Sequence, residues 1–150
     1  MKSKKVKIIL LEDDEDDQLL FSMALDIILI PTDLTIIKDV RDLKNNLILI
    51  QRLMPDIIFI DLGLGLINGL EYLQKIRSNE LLKQIPCIIM TDSIHPMHIE
   101  KAYDAGANLY IIKPVEFSVL VDIIRNTYIL NWNEYFPPGR DVFYIHYKAS

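Results

Sequence analysis

The sequence contains little cysteine and no long apolar segment. Its 150 residues include a single cysteine, Cys87, so the chain cannot form an internal disulfide, and we expect it to work in a reducing compartment, the cytoplasm. No apolar run approaches the roughly 18 residues that a membrane helix needs. Acidic residues also follow the N-terminal lysines too soon to leave the core of a secretory signal. We therefore expect no membrane segment.

The sequence also lacks an excess of positive charge. Lysine and arginine total 16 against 21 aspartate and glutamate residues, which gives a net charge of -5. A nucleic-acid-binding domain is typically basic, so we do not expect nucleic acid as a partner. A protein or a metal ion fits this charge better.

Short apolar runs alternate with helix-like segments along most of the chain, and hydrophobic residues make up 51% of it, enough for one buried core. Several runs are apolar at consecutive positions, as in parallel strands that are covered on both faces. The runs lie at 6–11, 34–37, 57–60, 88–90 and 109–112, and the helix-like segments at 15–29, 40–53, 69–79, 96–106 and 116–131. We predict one α/β domain over residues 5–131 and a C-terminal extension over 132–150.

Charged and polar side chains directly follow four of these runs. Glu12 and Asp13 follow the first run, Asp61 the third, Thr91 the fourth and Lys113 the fifth. Because the carboxyl ends of parallel strands lie at one edge of a sheet, where ligands bind, we expect these side chains to meet there. Three carboxylates at one site repel each other unless a cation offsets their charge.

Mg2+ is the expected cation, because it prefers carboxylate oxygens and keeps coordination positions for phosphate oxygens. Asp61 would then attack phosphorus as a nucleophile and form an acyl phosphate. Lys113 and Thr91 would contact the oxygens of the transferred group. We expect no other cofactor. The predicted metal ligands are Glu12, Asp13, Asp61 and the backbone carbonyl of Gly63.

In these features the chain resembles the receiver domain of two-component response regulators. The matching segments are residues 8–13, 55–69, 88–91 and 103–114, in the order and spacing of the family. The resemblance implies a flavodoxin-like, doubly wound parallel sheet of five strands in the order 2-1-3-4-5, with five helices. It also implies a phosphorylation-activated signalling switch rather than a metabolic enzyme, with a sensor histidine kinase as the phosphodonor.

Among receiver domains, the chain looks most like the stand-alone regulators that accompany bacterial phytochromes, through residues 106–115 and the absence of an output domain. Its output would pass to a downstream protein or a phosphotransfer partner. Carried over residue by residue, the resemblance makes Asp61 the phosphoacceptor, Glu12 and Asp13 the metal pair, Thr91 the switch hydroxyl, Tyr110 the switch aromatic and Lys113 the phosphate-pairing lysine.

Two positions depart from the family pattern. Asp92 stands where a small residue usually follows the switch hydroxyl, and we expect its charge to slow phosphorylation or to alter the lifetime of the phosphoryl group. Gly65 replaces a frequent proline and predicts a more flexible loop. The acids at 14–17 are more simply interpreted as a helix cap. His95 and His98 have a spacing found in metal sites, but we expect both to be exposed.

Three other functions remain open. The chain could be a phosphorylation-independent interaction module of the same fold. An Mg2+-dependent aspartyl phosphohydrolase would normally need a second acid near Asp61, where Gly63 stands. A flavodoxin-like nucleotide or flavin binder would need a glycine-rich loop, where Glu12 and Asp13 stand.

The C-terminal extension is dense in aromatic side chains, since seven of the chain's aromatic residues lie at or after Tyr128. We expect the extension to pack back on the domain, and residues 142–147 could form a short added strand. The alternative is that these aromatics contact a kinase or a second copy of the chain. A homodimer would use the extension or the face formed by the fourth helix, fifth strand and fifth helix.

Overall fold

The computed structural model describes residues 4–61 and 66–145, without the side chains of residues 66–68. Gly63 and Gly65, both singled out above, lie outside the described residues. Strands and helices alternate along the described chain. Its elements are β1 (Val6–Leu11), α1 (Glu15–Ile27), β2 (Thr32–Ile37), α2 (Leu43–Leu53), β3 (Ile57–Asp61), α3 (Leu66–Ser78), β4 (Cys87–Thr91), α4 (Pro96–Asp104), β5 (Leu109–Ile112), α5 (Phe117–Thr127), a 3-10 helix (Trp132–Tyr135), α6 (Arg140–Phe143) and β6 (Tyr144–Ile145).

The sheet is parallel throughout and has six strands in the order β2-β1-β3-β4-β5-β6. The predicted order of the first five strands is confirmed, but the predicted total of five strands and five helices is wrong. The C-terminal extension adds α6 and the two-residue strand β6, which pairs Tyr144 with Tyr110 of β5. The short added strand considered for this segment is therefore present, and the fold is flavodoxin-like with one further strand.

Local capping explains where several helices begin and end. Asp14 accepts a hydrogen bond from the Asp17 N–H at the start of α1, as the cap interpretation of this acidic run predicts for Asp14. Helix α2 begins at Leu43 rather than at residue 40, because the Asp42 carboxylate caps it. It ends at Leu53, and the capping residue Met54 adopts a left-handed conformation with φ 46°.

Two apolar layers cover the two faces of the sheet. Alternate residues of β1 point to opposite faces, as the period of a strand requires. Ile8 and Leu10 belong to the layer shared with α1 and α5. Ile9 and Leu11 belong to the layer shared with α2, α3 and α4. All five residues of β3 are buried, as expected for a central strand, and this anchors the carboxyl edge of the sheet. Of the helices in the described part of the chain, none has the length and apolarity to cross a bilayer.

Candidate functional site

The residues predicted to carry the chemistry meet at the carboxyl edge of the sheet. Glu12 and Asp13 follow β1, Asp61 is the last residue of β3, Thr91 is the last residue of β4, and Lys113 follows β5. All five line one open cleft of about 580 Å³. Parallel register produces this arrangement, because residues that end neighbouring strands arrive at the same level.

Three carboxylates of the cleft lie close enough to share a cation. One oxygen from each of Glu12, Asp13 and Asp61 lies within 4.8 Å of the other two. Glu12 and Asp61 are buried and Asp13 is exposed. A set of carboxylate oxygens with one open side suits a hard divalent cation that keeps some water, such as Mg2+. The predicted fourth ligand, the carbonyl of Gly63, belongs to the segment that the structure does not describe.

Burial is the largest cause that raises the pKa of Glu12, and together with the hydrogen bond to Asp61 and the charge of Asp61 it brings this pKa to about 8. The Asp14 backbone N–H, which donates to Glu12 Oε1 at 3.0 Å, and the positive charge of Lys113 act in the opposite direction. Two buried carboxyl groups at this separation favour holding a proton between them when no cation is bound.

Lys113 sits among three acids at the mouth of the cluster. Its Nζ lies 3.0 Å from Asp61 Oδ2, 3.3 Å from Glu12 Oε2 and 2.6 Å from Asp17 Oδ2. Burial alone would lower the pKa of Lys113, but the hydrogen bond to Asp17 and the interactions with Asp61 and Glu12 outweigh it and raise the pKa. Lys113 is therefore a fixed positive charge beside the Asp61 carboxylate.

The sequence did not identify Asp17 as part of this site. Residues 14–17 were interpreted as a helix cap, which holds for Asp14 but is incomplete for Asp17, whose carboxylate makes the shortest contact of Lys113. The signal available in the sequence was only its position in the first turn of the helix that follows the acidic pair. Gln18 was also missed. Its side chain is buried, and it donates to the Glu12 carbonyl at 2.7 Å, which fixes the backbone of the acidic pair.

Ser93 connects the two predicted switch residues. Its N–H donates to Thr91 Oγ1 at 3.2 Å, and its carbonyl accepts a hydrogen bond from the Tyr110 hydroxyl at 2.8 Å. The Tyr110 side chain is fully buried. The Ser93 hydroxyl also hydrogen bonds with His98 Nδ1. Nothing in the local sequence pattern distinguished Ser93 from an ordinary loop serine.

The two histidines of this region differ in their surroundings. His95 is exposed, as expected, and its Nδ1 accepts from the Met97 N–H as the cap of α4. His98 is half-buried and lines the cleft, so the expectation that it is exposed is wrong. Asp92 is exposed and lines the same cleft as Asp61.

The sequence profile of the response regulator receiver domain matches residues 8–125, most of the chain. The chain belongs to this family. Its receiver domain carries the flavodoxin-like fold and the acidic cluster that two-component signalling uses, so the predicted resemblance is confirmed.

Curated relatives of the receiver domain are regulators. The probable methanogenesis regulatory protein FilR2 of Methanothrix harundinacea is 33% identical over 84 residues, which cover 55% of this chain and 54% of that protein. The response regulator protein VraR of Staphylococcus epidermidis is 31% identical over 85 residues, covering 57% of this chain and 40% of VraR. The chain thus spans about half the length of these relatives, or less.

Solved structures that resemble the receiver domain include phytochrome-associated response regulators. The phosphorylated cyanobacterial phytochrome response regulator RcpA is 29% identical with a TM-score of 0.71, and the match covers 89% of this chain and 94% of RcpA. The bacteriophytochrome response regulator RtBRR is 32% identical with a TM-score of 0.66, and the match covers 91% of this chain and 86% of RtBRR. The profile match ends at residue 125, whereas the match to RtBRR covers 91% of the chain. Only seven residues precede the profile match, so the structural likeness includes residues after 125.

Proposed function

We propose that this chain is a phosphorylation-activated switch whose phosphoacceptor is Asp61 and whose phosphodonor is a sensor histidine kinase of the phytochrome-like kind. One observation carries the proposal. The Lys113 ammonium lies 3.0 Å from the Asp61 carboxylate, in a cleft where two further acids stand within ligand distance of Asp61. This arrangement supports the proposal, because a nucleophilic carboxylate needs a nearby cation and oxygens that can hold a metal ion.

The reaction follows from these positions. An Asp61 carboxylate oxygen attacks the phosphorus of the donor's phosphohistidine, the new O–P bond forms as the P–N bond breaks, and the imidazole nitrogen leaves with the electron pair of that bond. Lys113 pairs with a phosphoryl oxygen, and the Thr91 hydroxyl donates to another. Mg2+ held by Glu12, Asp13, Asp61 and the Gly63 carbonyl would supply further positive charge to the phosphoryl oxygens. The phosphoryl group leaves by hydrolysis or onward transfer.

The output is a shift between two arrangements of the β4–α4 loop. When Thr91 donates to the phosphoryl group, Ser93 and Tyr110 are held with it, because Ser93 bonds to both. Phosphorylation then stabilises the buried position of Tyr110 and the surface that α4, β5 and α5 form around it. A downstream protein or a phosphotransfer partner would bind this surface. A homodimer through the same face would have to include the C-terminal extension, since β6 pairs with β5.

Intact-mass spectrometry tests the proposal directly. The full chain is incubated with Mg2+ and acetyl phosphate, and we expect one phosphoryl adduct in the unaltered protein and none in Asp61→Asn or without Mg2+. Asp13→Asn should label far more slowly, whereas Asp16→Asn should label normally, because Asp16 is an exposed acid of the same run that lies outside the cluster.

Two results would support the other functions. Absence of an adduct, together with no binding of beryllofluoride, would mean that the chain is a phosphorylation-independent interaction module. Sustained release of phosphate from a phosphomonoester would favour the aspartyl phosphohydrolase instead.

A further inference from the structure

The C-terminal extension adds a strand beside the strand that carries the switch aromatic. Tyr144 of β6 pairs with Tyr110 of β5, and Phe143 immediately precedes Tyr144. Phe143 is only 2% exposed, so it belongs to the core rather than to a loose tail. Burying a phenylalanine of this kind is one of the larger single contributions to packing.

Phe143 packs against two tyrosines of the domain. Its ring lies edge-on to Tyr103 of α4, with centroids 5.0 Å apart and planes at 82°. It also lies 6.2 Å from the ring of Tyr110, and the ring of Tyr144 lies 6.0 Å from Tyr110. The extension therefore supplies two of the aromatic neighbours that surround the Tyr110 ring.

The hydroxyl end of the Tyr110 side chain is connected to the proposed phosphorylation site through Ser93. Its hydroxyl donates to the Ser93 carbonyl, and the Ser93 N–H donates to Thr91 Oγ1. An unbroken series of contacts thus runs from Phe143 through Tyr110 and Ser93 to Thr91, which lines the same cleft as Asp61. Physical continuity of this kind is the condition for energetic coupling, which then has to be measured.

Several contacts outside this series hold the extension in place. Asn108 Nδ2 donates to the Tyr135 carbonyl at 2.6 Å, and the Tyr103 hydroxyl donates to the Pro138 carbonyl at 2.8 Å. The Arg140 guanidinium donates to both oxygens of Glu100. These contacts involve extension residues that precede Phe143 in the chain. They hold the backbone where the Phe143 ring packs against Tyr103 and Tyr110.

We propose that Phe143 is a positioning residue for the phosphorylation switch: by packing against Tyr110, it stabilises the arrangement of Tyr110, Ser93 and Thr91 that accepts the phosphoryl group. This inference rests on the proposed function of Asp61. Coupling between two sites is reciprocal. Phe143 should therefore favour phosphorylation of Asp61, and phosphorylation should tighten the docking of the extension.

A double-mutant cycle on the full chain tests the forward direction. The initial rate of phosphorylation by acetyl phosphate and Mg2+ is measured for the unaltered protein, Phe143→Ala, Tyr110→Ala and the double variant. We expect Phe143→Ala to slow labelling by about fivefold or more, and to have no further effect when Tyr110 is already alanine. Val142→Ala is the matched control, because Val142 precedes Phe143 but is 43% exposed.

Phe143→Leu is a second variant for the case that Phe143→Ala does not fold. Leucine keeps an apolar side chain at this position, so this variant should retain part of the phosphorylation rate. A purely structural role would give the same loss in both Tyr110 backgrounds and would overturn the inference. If the unaltered protein fails to label, the proposed function falls and the positioning role falls with it. If it labels and Phe143→Ala labels equally fast, only the positioning role is wrong.

Hydrogen exchange tests the reverse direction. Beryllofluoride with Mg2+ should slow exchange of the Tyr144 and Ile145 amides by about fivefold or more in the unaltered protein, and should leave them unchanged in Asp61→Asn. Exchange rates in the unaltered protein that do not respond to bound beryllofluoride would contradict the coupling.

Discussion

Lys113 Nζ lies closer to Asp17 Oδ2, at 2.6 Å, than to Asp61 Oδ2, at 3.0 Å. The lysine assigned to the phosphoryl group is thus shared between the acceptor and an acid of α1. Asp17 is 37% exposed at its side chain, so its hold on Lys113 is weakened by solvent, while Asp61 is 7% exposed. If Lys113 pairs with a phosphoryl oxygen as proposed, we expect its contact with the more exposed Asp17 to be the one that loosens.

We predict that Asp17→Asn accelerates phosphorylation. Removing the competing carboxylate leaves Lys113 with Glu12 and Asp61, so its charge is more available to the phosphoryl group. The expected gain in the rate of labelling by acetyl phosphate is at most about fivefold, the range of a partly exposed ion pair. Asp16→Asn serves as the control, and slower labelling of Asp17→Asn would show that Asp17 orients Lys113 instead of competing for it.

The Glu12 carboxyl makes metal binding depend on pH. Its pKa is about 8 in the folded chain against an ordinary value of 4.5, so between these pH values it holds a proton that Mg2+ has to displace. Calorimetry in buffers of different ionisation enthalpy should record release of close to one proton per Mg2+ at about pH 6 and little release above about pH 9. Glu12→Gln should abolish this release, and a persistent release in that variant would assign the proton to another group.

The same shift affects the stability of the metal-free protein. Because the folded state holds more protons than the unfolded state between about pH 4.5 and pH 8, the free energy of unfolding should fall as the pH rises through this window. Saturating Mg2+ should reduce that fall, since the cation offsets the charge of the carboxylates. Urea titrations at several pH values, with and without Mg2+, measure both effects.

Asn108 should be among the most sensitive positions outside the cleft. It is 1% exposed, its Oδ1 accepts from the Cys87 N–H and from Arg77 Nη2, and its Nδ2 donates to the Tyr135 carbonyl. Asn108→Ala leaves these groups without their partner, and we expect the free energy of unfolding to fall by about 2 to 4 kcal/mol. Chemical denaturation measures the loss. An equal loss in the exposed Asn133→Ala variant would argue against this explanation.

Cys87 should be chemically silent in the folded protein. It is fully buried in β4, and burial raises the pKa of its thiol to about 11. A thiol-specific reagent at about pH 8 should modify it only after unfolding, because the thiolate is the reactive form. Rapid modification of the native protein would show that β4 opens locally.

The parts of this molecule that the sequence predicts well are those set by neighbours along the chain. The run at 57–60 is apolar at every position and Asp61 follows it directly, so both the buried strand and the carboxylate at its end are readable locally. Glu12, Thr91 and Lys113 are placed by the same rule. Parallel pairing then brings these residues together without any further information.

The parts that the sequence did not predict depend on partners far along the chain. Asp17 and Lys113 are 96 positions apart, and they meet where α1 packs against α5, the helix that follows Lys113. Ser93 gains its role from Tyr110, 17 positions away. Strand β6 could be offered only as one possibility for residues 142–147, because its two described residues are too few for a periodic pattern and its pairing depends on the edge of β5.

The sixth strand also decides which backbone groups the sheet presents to other chains. With five strands, β5 would be an edge, and an open edge can recruit a strand from another molecule and start aggregation. Tyr144 and Ile145 occupy that place instead. At the opposite edge, β2 carries the charged Asp33, with the Lys5 ammonium 3.5 Å away, which disfavours pairing with a like strand. The extension therefore shields the strand that bears Tyr110 from intermolecular pairing.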